Sequence, residues 1–128
     1  FTFSIHGARN FPFDKEASDL DIELADGTED AAYLTALDQG LNEVFRKIEP
    51  KLVIYLAGAD PYVGDRLGRL NLSRDGLAER DRKVLGACKE KSIPVSVAMA
   101  GGYAQPIEDT VTIHSTTVLM AKQLFFKP

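Results

Sequence analysis

The chain has 128 residues, 45% apolar and 27% charged, the proportions of one ordinary globular domain. No run approaches the roughly 18 apolar residues that span a bilayer as a helix, so no membrane partner is expected. A lone cysteine, Cys88, excludes a disulfide framework and points to a reducing compartment, while the net charge of −4 argues against direct nucleic-acid binding.

The first element, Phe1-Thr2-Phe3-Ser4-Ile5, is β-prone and closes at His6-Gly7. Because the chain opens on Phe1 inside this strand, it is expected to be a processed product or a piece of something longer. Asp21-Ile22-Glu23-Leu24 alternates polar and apolar, which suits a half-exposed strand or extended loop. From about Thr28 to Glu49, Leu34, Leu37, Leu41, Val44, Phe45 and Ile48 recur at spacings of three and four, predicting a helix that Pro50 stops. Leu52 to Ala57 is a continuous apolar run, as expected of a strand covered on both faces. A long loop then runs to about Leu72. Ser73 is the expected N-cap of a helix reaching Lys91, with Leu77, Val84, Leu85 and Cys88 inside. Pro94 to Ala100 reads as a second buried strand, and Pro106 opens a last helix to about Leu124.

Strands alternating with helices imply βαβ units and a parallel sheet covered by helices, with sites beyond the carboxyl ends of the strands. Charge is uneven: residues 1–64 hold 12 acids and 5 bases, residues 65–128 hold 7 acids and 10 bases. The acidic stretch Asp14–Asp30 and the basic stretch Arg66–Lys91 read as a solvated loop and a solvated helix face. No phosphate-binding, dinucleotide-binding or nucleophile-elbow motif occurs.

Three strand ends are expected to share one rim: His6-Gly7, Gly58-Ala59-Asp60-Pro61, and Gly101-Gly102-Tyr103. A carboxylate just past a buried strand is costly unless paired or metal-bound, so Asp60 either caps the following turn or ligates a metal. Gly101-Gly102 either forms a simple turn or brings backbone close to a ligand, delivering Tyr103 as a donor to a carbonyl oxygen gaining charge. Cys88 and His114 read as packed residues, and His6 as capping a loop.

These strings resemble a known family. Leu56-Ala57-Gly58-Ala59-Asp60-Pro61, Gly64-Asp65-Arg66-Leu67-Gly68 and Ala100-Gly101-Gly102-Tyr103 resemble the C-terminal half of the histone deacetylase superfamily, nearest in pattern to class IV and its bacterial relatives. Ser4-Ile5-His6, Asn10-Phe11-Pro12-Phe13, Lys15, Ser18 to Ile22 and Asp26-Gly27-Thr28 fit the same pattern. The resemblance implies the arginase/deacetylase fold, a three-layer α/β/α unit with a largely parallel sheet. Residues 1–128 are then the C-terminal part of one domain, with its N-terminal half as partner. It also implies zinc-dependent removal of acetyl or acyl groups from lysine side chains or related amines, in a cytoplasmic protein of bacterial type, or alternatively a nuclear one. On this pattern Asp60 is a Zn2+ ligand and Tyr103 polarises the substrate carbonyl. Gly101, Gly102, Leu67 and Phe11 or Phe13 line the channel, and Ser4 and Ile5 belong to a site for a monovalent cation such as K+. The family's D-x-H motif and His-His pair are absent from this sequence, so the segment is expected to be catalytically incomplete by itself. The alternatives are a polyamine-type acyl-amine hydrolase of the same fold, or a non-catalytic α/β ligand-binding module.

Overall fold

A computed structural model describes residues 1–126. The elements follow the order β1 (Phe3–Gly7), β2 (Leu20–Leu24), α1 (Asp30–Lys47), β3 (Val53–Ala57), α2 (Arg74–Glu90), β4 (Val95–Met99) and α3 (Ile107–Phe125). β2 is a strand, with Leu20, Ile22 and Leu24 turned inward and Asp21 and Glu23 to solvent, the period of two that a half-covered strand requires. Both strand pairings are parallel. β1 pairs with β2 from Phe3↔Leu20 to Gly7↔Leu24, and β3 with β4 from Val53↔Val95 to Ala57↔Met99. α2 forms the crossover between β3 and β4, a βαβ unit.

Helix boundaries follow local chemistry. α1 ends at Lys47, three residues short of Pro50, with Ile48 already extended. Ser73 caps α2 by accepting the Gly76 N–H at 2.9 Å. The Asp30 carboxylate, in the first turn of α1, accepts both the Ser73 N–H (2.8 Å) and its hydroxyl (2.5 Å), so one side chain ties two helix starts together.

The core joins Tyr33 and Leu37 of α1, Leu77 and Val84 of α2 and Ile113 of α3 to Ala59, Leu70 and Leu72 of the loop after β3. Phe3, Ile5, Leu24, Tyr55 and Tyr62 pack around them. That loop is therefore pinned. Leu72 is fully buried, and its backbone exchanges hydrogen bonds with Pro61 and Val63. Leu72→Ala would cost about 2–5 kcal/mol as a core truncation and loosen the site-bearing loop with it.

Three expectations need correction. The described strands form two separate two-stranded sheets, so the end of β1 does not join the ends of β3 and β4 on one continuous rim. β3 and β4 are not covered on both faces. Tyr55 turns toward the core, whereas Ile54 (68% exposed) and Leu56 (66%) look outward, because among the described residues no helix packs there. Finally, the basic run is not wholly a solvated helix face: Arg80 is buried and bonded to the Gly58 carbonyl, whereas the acidic run stays exposed, with Asp26 pairing with Arg69 at the surface.

Candidate functional site

Ala57 and Met99 are registered partners at the ends of β3 and β4, so the segments that follow leave side by side. The Ala59 N–H donates to the Gly101 carbonyl at 2.6 Å, which extends the pairing past both strands. Asp60 then lies over this junction. A Cβ on Gly101 would stand 2.7 Å from Asp60 Oδ1, and one on Gly58 would clash with the same oxygen, so the carboxylate fills a cradle that only glycine backbone leaves open. Burial raises the Asp60 pKa, and neighbouring Asp65 adds to the shift. Its own backbone hydrogen bond and the positive fields of Arg80 and His114 oppose it. A half-buried carboxylate in an unfavourable position for its charge is a suitable anionic donor to a cation.

Asp65 builds the next part. Its Oδ1 accepts the N–H groups of Leu67 (2.8 Å) and Gly68 (2.7 Å), and its Oδ2 accepts the Tyr103 N–H at 2.5 Å. One carboxylate thus folds the 65–68 turn and staples it to the segment carrying Tyr103. Gly68 lies so close to the Asp60 carbonyl that any side chain there would collide with it. Tyr103 is 50% exposed, and its carbonyl accepts from the Arg66 backbone N–H and Nε, both at 3.3 Å. Gly102 is packed against α3, facing Thr110 and His114 Nε2. The buried His114 Nδ1 has no hydrogen-bond partner among the described residues.

Phe11, Phe13 and Leu67 meet at an open depression of about 550 Å³, together with Arg66, Gly68 and Arg69. The two rings stand edge to face at 6.1 Å. Lys15 holds their loop in shape by donating to the carbonyls of Ala8 (3.2 Å), Asn10 (2.8 Å) and Pro12 (2.9 Å). Ser4 and Ile5 lie on β1, where the Ser4 hydroxyl and His6 Nδ1 are hydrogen-bonded at 2.7 Å and His6 Nε2 is 4.0 Å from Glu23. The structure therefore brings Asp60, Gly101 and Gly102 together, gathers Phe11, Phe13 and Leu67 beside the Asp65–Tyr103 staple, and leaves Ser4 and Ile5 on the other sheet.

The roles of Asp65 and Lys15 are not apparent from the sequence, although both stand inside the strings quoted above. Their partners are backbone atoms, and backbone geometry leaves no mark in residue type. Among the described residues, no three His, Cys, Asp or Glu side chains group as a metal site. Nor is any helix long and apolar enough to cross a membrane.

Comparison with known proteins decides the family. Residues 1–119 match the histone deacetylase domain. The chain belongs to the histone deacetylase family. An uncharacterized protein of Picosynechococcus is 42% identical over 125 residues, which cover 98% of this chain and 42% of that protein. Histone deacetylase 2 of Arabidopsis thaliana is 37% identical over 118 residues, covering 87% of this chain and 30% of the relative. The chain thus spans less than half the length of these relatives. Among solved structures, an acetylpolyamine aminohydrolase from Burkholderia pseudomallei superposes with a TM-score of 0.77 at 20% identity, covering 95% of this chain and 37% of that one. A histone deacetylase homologue from Aquifex aeolicus superposes at 0.75 and 24% identity, covering 97% of this chain and 39% of that one. The parallel α/β fold expected from the family pattern is the fold found.

Proposed function

We propose that this chain forms the Asp60–Tyr103 side of a zinc-dependent deacetylase site that hydrolyses the amide of an acetylated or acylated lysine. The observation that carries this reading is the junction at the ends of β3 and β4, where one backbone hydrogen bond sets the Asp60 carboxylate against Gly101, two residues before Tyr103. Asp60 fits a metal in charge and burial, and supplies one donor. In this reading the other donors and the general base come from protein sequence outside residues 1–128, and Ser4 and Ile5 contribute to a site for a monovalent cation such as K+.

A zinc ion bound at Asp60 supplies Lewis acidity toward the amide carbonyl and a water of lowered pKa. The chain's own groups do the rest. Gly101 makes room for the carboxylate itself and Gly102 lets the segment pack on α3, so that their backbone forms the wall on which the acyl group would lie. Tyr103 turns its hydroxyl to the carbonyl oxygen and donates a hydrogen bond as negative charge grows there, a contribution of about 3–4 kcal/mol for one such donor. Phe11, Phe13 and Leu67 offer apolar walls to an alkyl chain. Acylated polyamines are the less favoured substrates, because Arg66 and Arg69 border the same depression and the acidic stretch is engaged with backbone and Arg69.

The test is zinc content and deacetylation of an acetyl-lysine peptide by the full-length protein. Asp60→Ala is expected to lose bound zinc and activity together. Zinc retained at wild-type stoichiometry would remove Asp60 from the ligand set.

A further inference from the structure

We infer that Arg80 is a positioning residue for this site, locking the peptide bond that joins Gly58 to Ala59 and through it both Asp60 and the Gly101–Tyr103 segment. The inference rests on the proposed role of Asp60 but comes from a separate set of contacts. Arg80 lies on α2, is 4% exposed, and donates from Nη1 to the Gly58 carbonyl at 2.6 Å. The N–H of that same peptide unit, on Ala59, donates to the Gly101 carbonyl at 2.6 Å. One peptide plane is therefore held at both ends, by a guanidinium on its oxygen and by the neighbouring strand end on its N–H. A cation on the oxygen polarises the amide and strengthens the bond its N–H makes. With the plane fixed, the direction in which the chain leaves toward Asp60 is fixed too.

Arg80 is itself held rigidly. Its Nε donates to Asp81 Oδ1 at 2.9 Å, with Nη2 in ion-pair contact at 2.8 Å. Asp81, 1% exposed, also accepts from the Tyr55 hydroxyl of β3 and the Thr117 hydroxyl of α3, each at 2.5 Å. The network thus ties α2 to β3, to α3 and to the segment that leaves β3. A buried ion pair is seldom more stabilising than apolar side chains of similar volume. Stability alone therefore explains this network poorly, whereas the carbonyl that Arg80 reaches explains it well.

The experiment compares variants of the full-length protein by zinc affinity, kcat and amide hydrogen exchange at Ala59. Arg80→Met alone would strand the Asp81 charge and risks unfolding, so the informative variant is Arg80→Met with Asp81→Asn, which removes both charges, keeps an acceptor for one of the Tyr55 and Thr117 hydroxyls and offers the other its amide N–H. Val84→Ala, a core truncation on the same helix, controls for loss of stability. The double variant is expected to weaken zinc binding and lower kcat by about 10–100-fold, the usual effect of losing a group that orients a metal ligand, with KM changed far less. Exchange at Ala59 should rise about tenfold or more as the clamp opens. Arg80→Lys, still able to donate to the Gly58 carbonyl, should recover part of each loss. Wild-type exchange at Ala59 in the double variant overturns the inference, as does a Val84→Ala variant that matches its losses. Faster Ala59 exchange in a protein whose Asp60→Ala form keeps its zinc would uphold the clamp and overturn the metal role of Asp60 instead.

Discussion

Asp65→Asn isolates the staple that holds Tyr103. The wild-type carboxylate accepts three backbone N–H groups, two on Oδ1 and one on Oδ2. An asparagine can keep its oxygen toward Leu67 and Gly68, but its amide nitrogen then faces the Tyr103 N–H, donor against donor. The variant loses one hydrogen bond to a charged acceptor, about 1.5–3 kcal/mol, and the lower end applies because the half-exposed Tyr103 segment regains water. An opening of ~1.4 kcal/mol is a factor of about ten in the population of the stapled segment. If Tyr103 acts only when stapled, kcat on an acetyl-lysine peptide should fall about tenfold with zinc content unchanged. Asp65→Ala loses all three bonds, so its melting temperature should drop well below that of Asp65→Asn. The measurements are steady-state kinetics, metal analysis and thermal denaturation of the full-length variants. Wild-type kcat in Asp65→Asn would refute the reasoning, and so would equal stability of the Asn and Ala variants.

Three further outcomes are expected. Tyr103→Phe should lower kcat by about 10²–10³-fold while zinc stays bound, since only a transition-state donor is removed; activity assay with metal analysis checks both halves. Burial raises the Asp60 pKa above its unfolded value, so ionisation of this group destabilises the metal-free fold. The penalty is absent at pH below the unfolded value near 3.8 and grows as pH rises through the folded pKa. Metal-free Asp60→Asn should therefore melt higher than metal-free wild type at pH 7, and the gap should close in acid. Cys88 is buried and its thiol pKa is raised by that burial, so alkylation by iodoacetamide at pH 8 should be slow in the native protein and fast in denaturant.

Much of the fold is legible in the sequence where a side chain's own chemistry decides the outcome. Ser73 caps a helix because its hydroxyl suits an orphan N–H, and Leu77, Val84, Leu85 and Cys88 share a buried face because three and four residues make a turn. The same count places Arg80 and Asp81 on that face, between Leu77 and Val84. Two opposite charges at core positions are a signal that a strict reading of helix period can find. The Asp60–Gly101 juxtaposition follows from parallel pairing once both strands are recognised, though the register that sets Ala57 beside Met99 does not. The bare outer face of β3 is not legible, because an unbroken apolar run reports what a strand can tolerate on each face, not which neighbours are present.

The exposed apolar surface of the chain, the outward face of β3 among it, carries a thermodynamic signature. An accessible surface of 7852 Å² exceeds by about 1,100 Å² what a compact 14.0 kDa monomer presents. Apolar area already wet in the native state adds nothing to the heat capacity of unfolding, at roughly 0.45 cal/mol/K for each Å². Calorimetry of residues 1–128 alone should thus fall short of the usual ~1.5–1.9 kcal/mol/K for this length by up to about 0.5. The stability curve becomes correspondingly flatter, with cold denaturation displaced further below freezing.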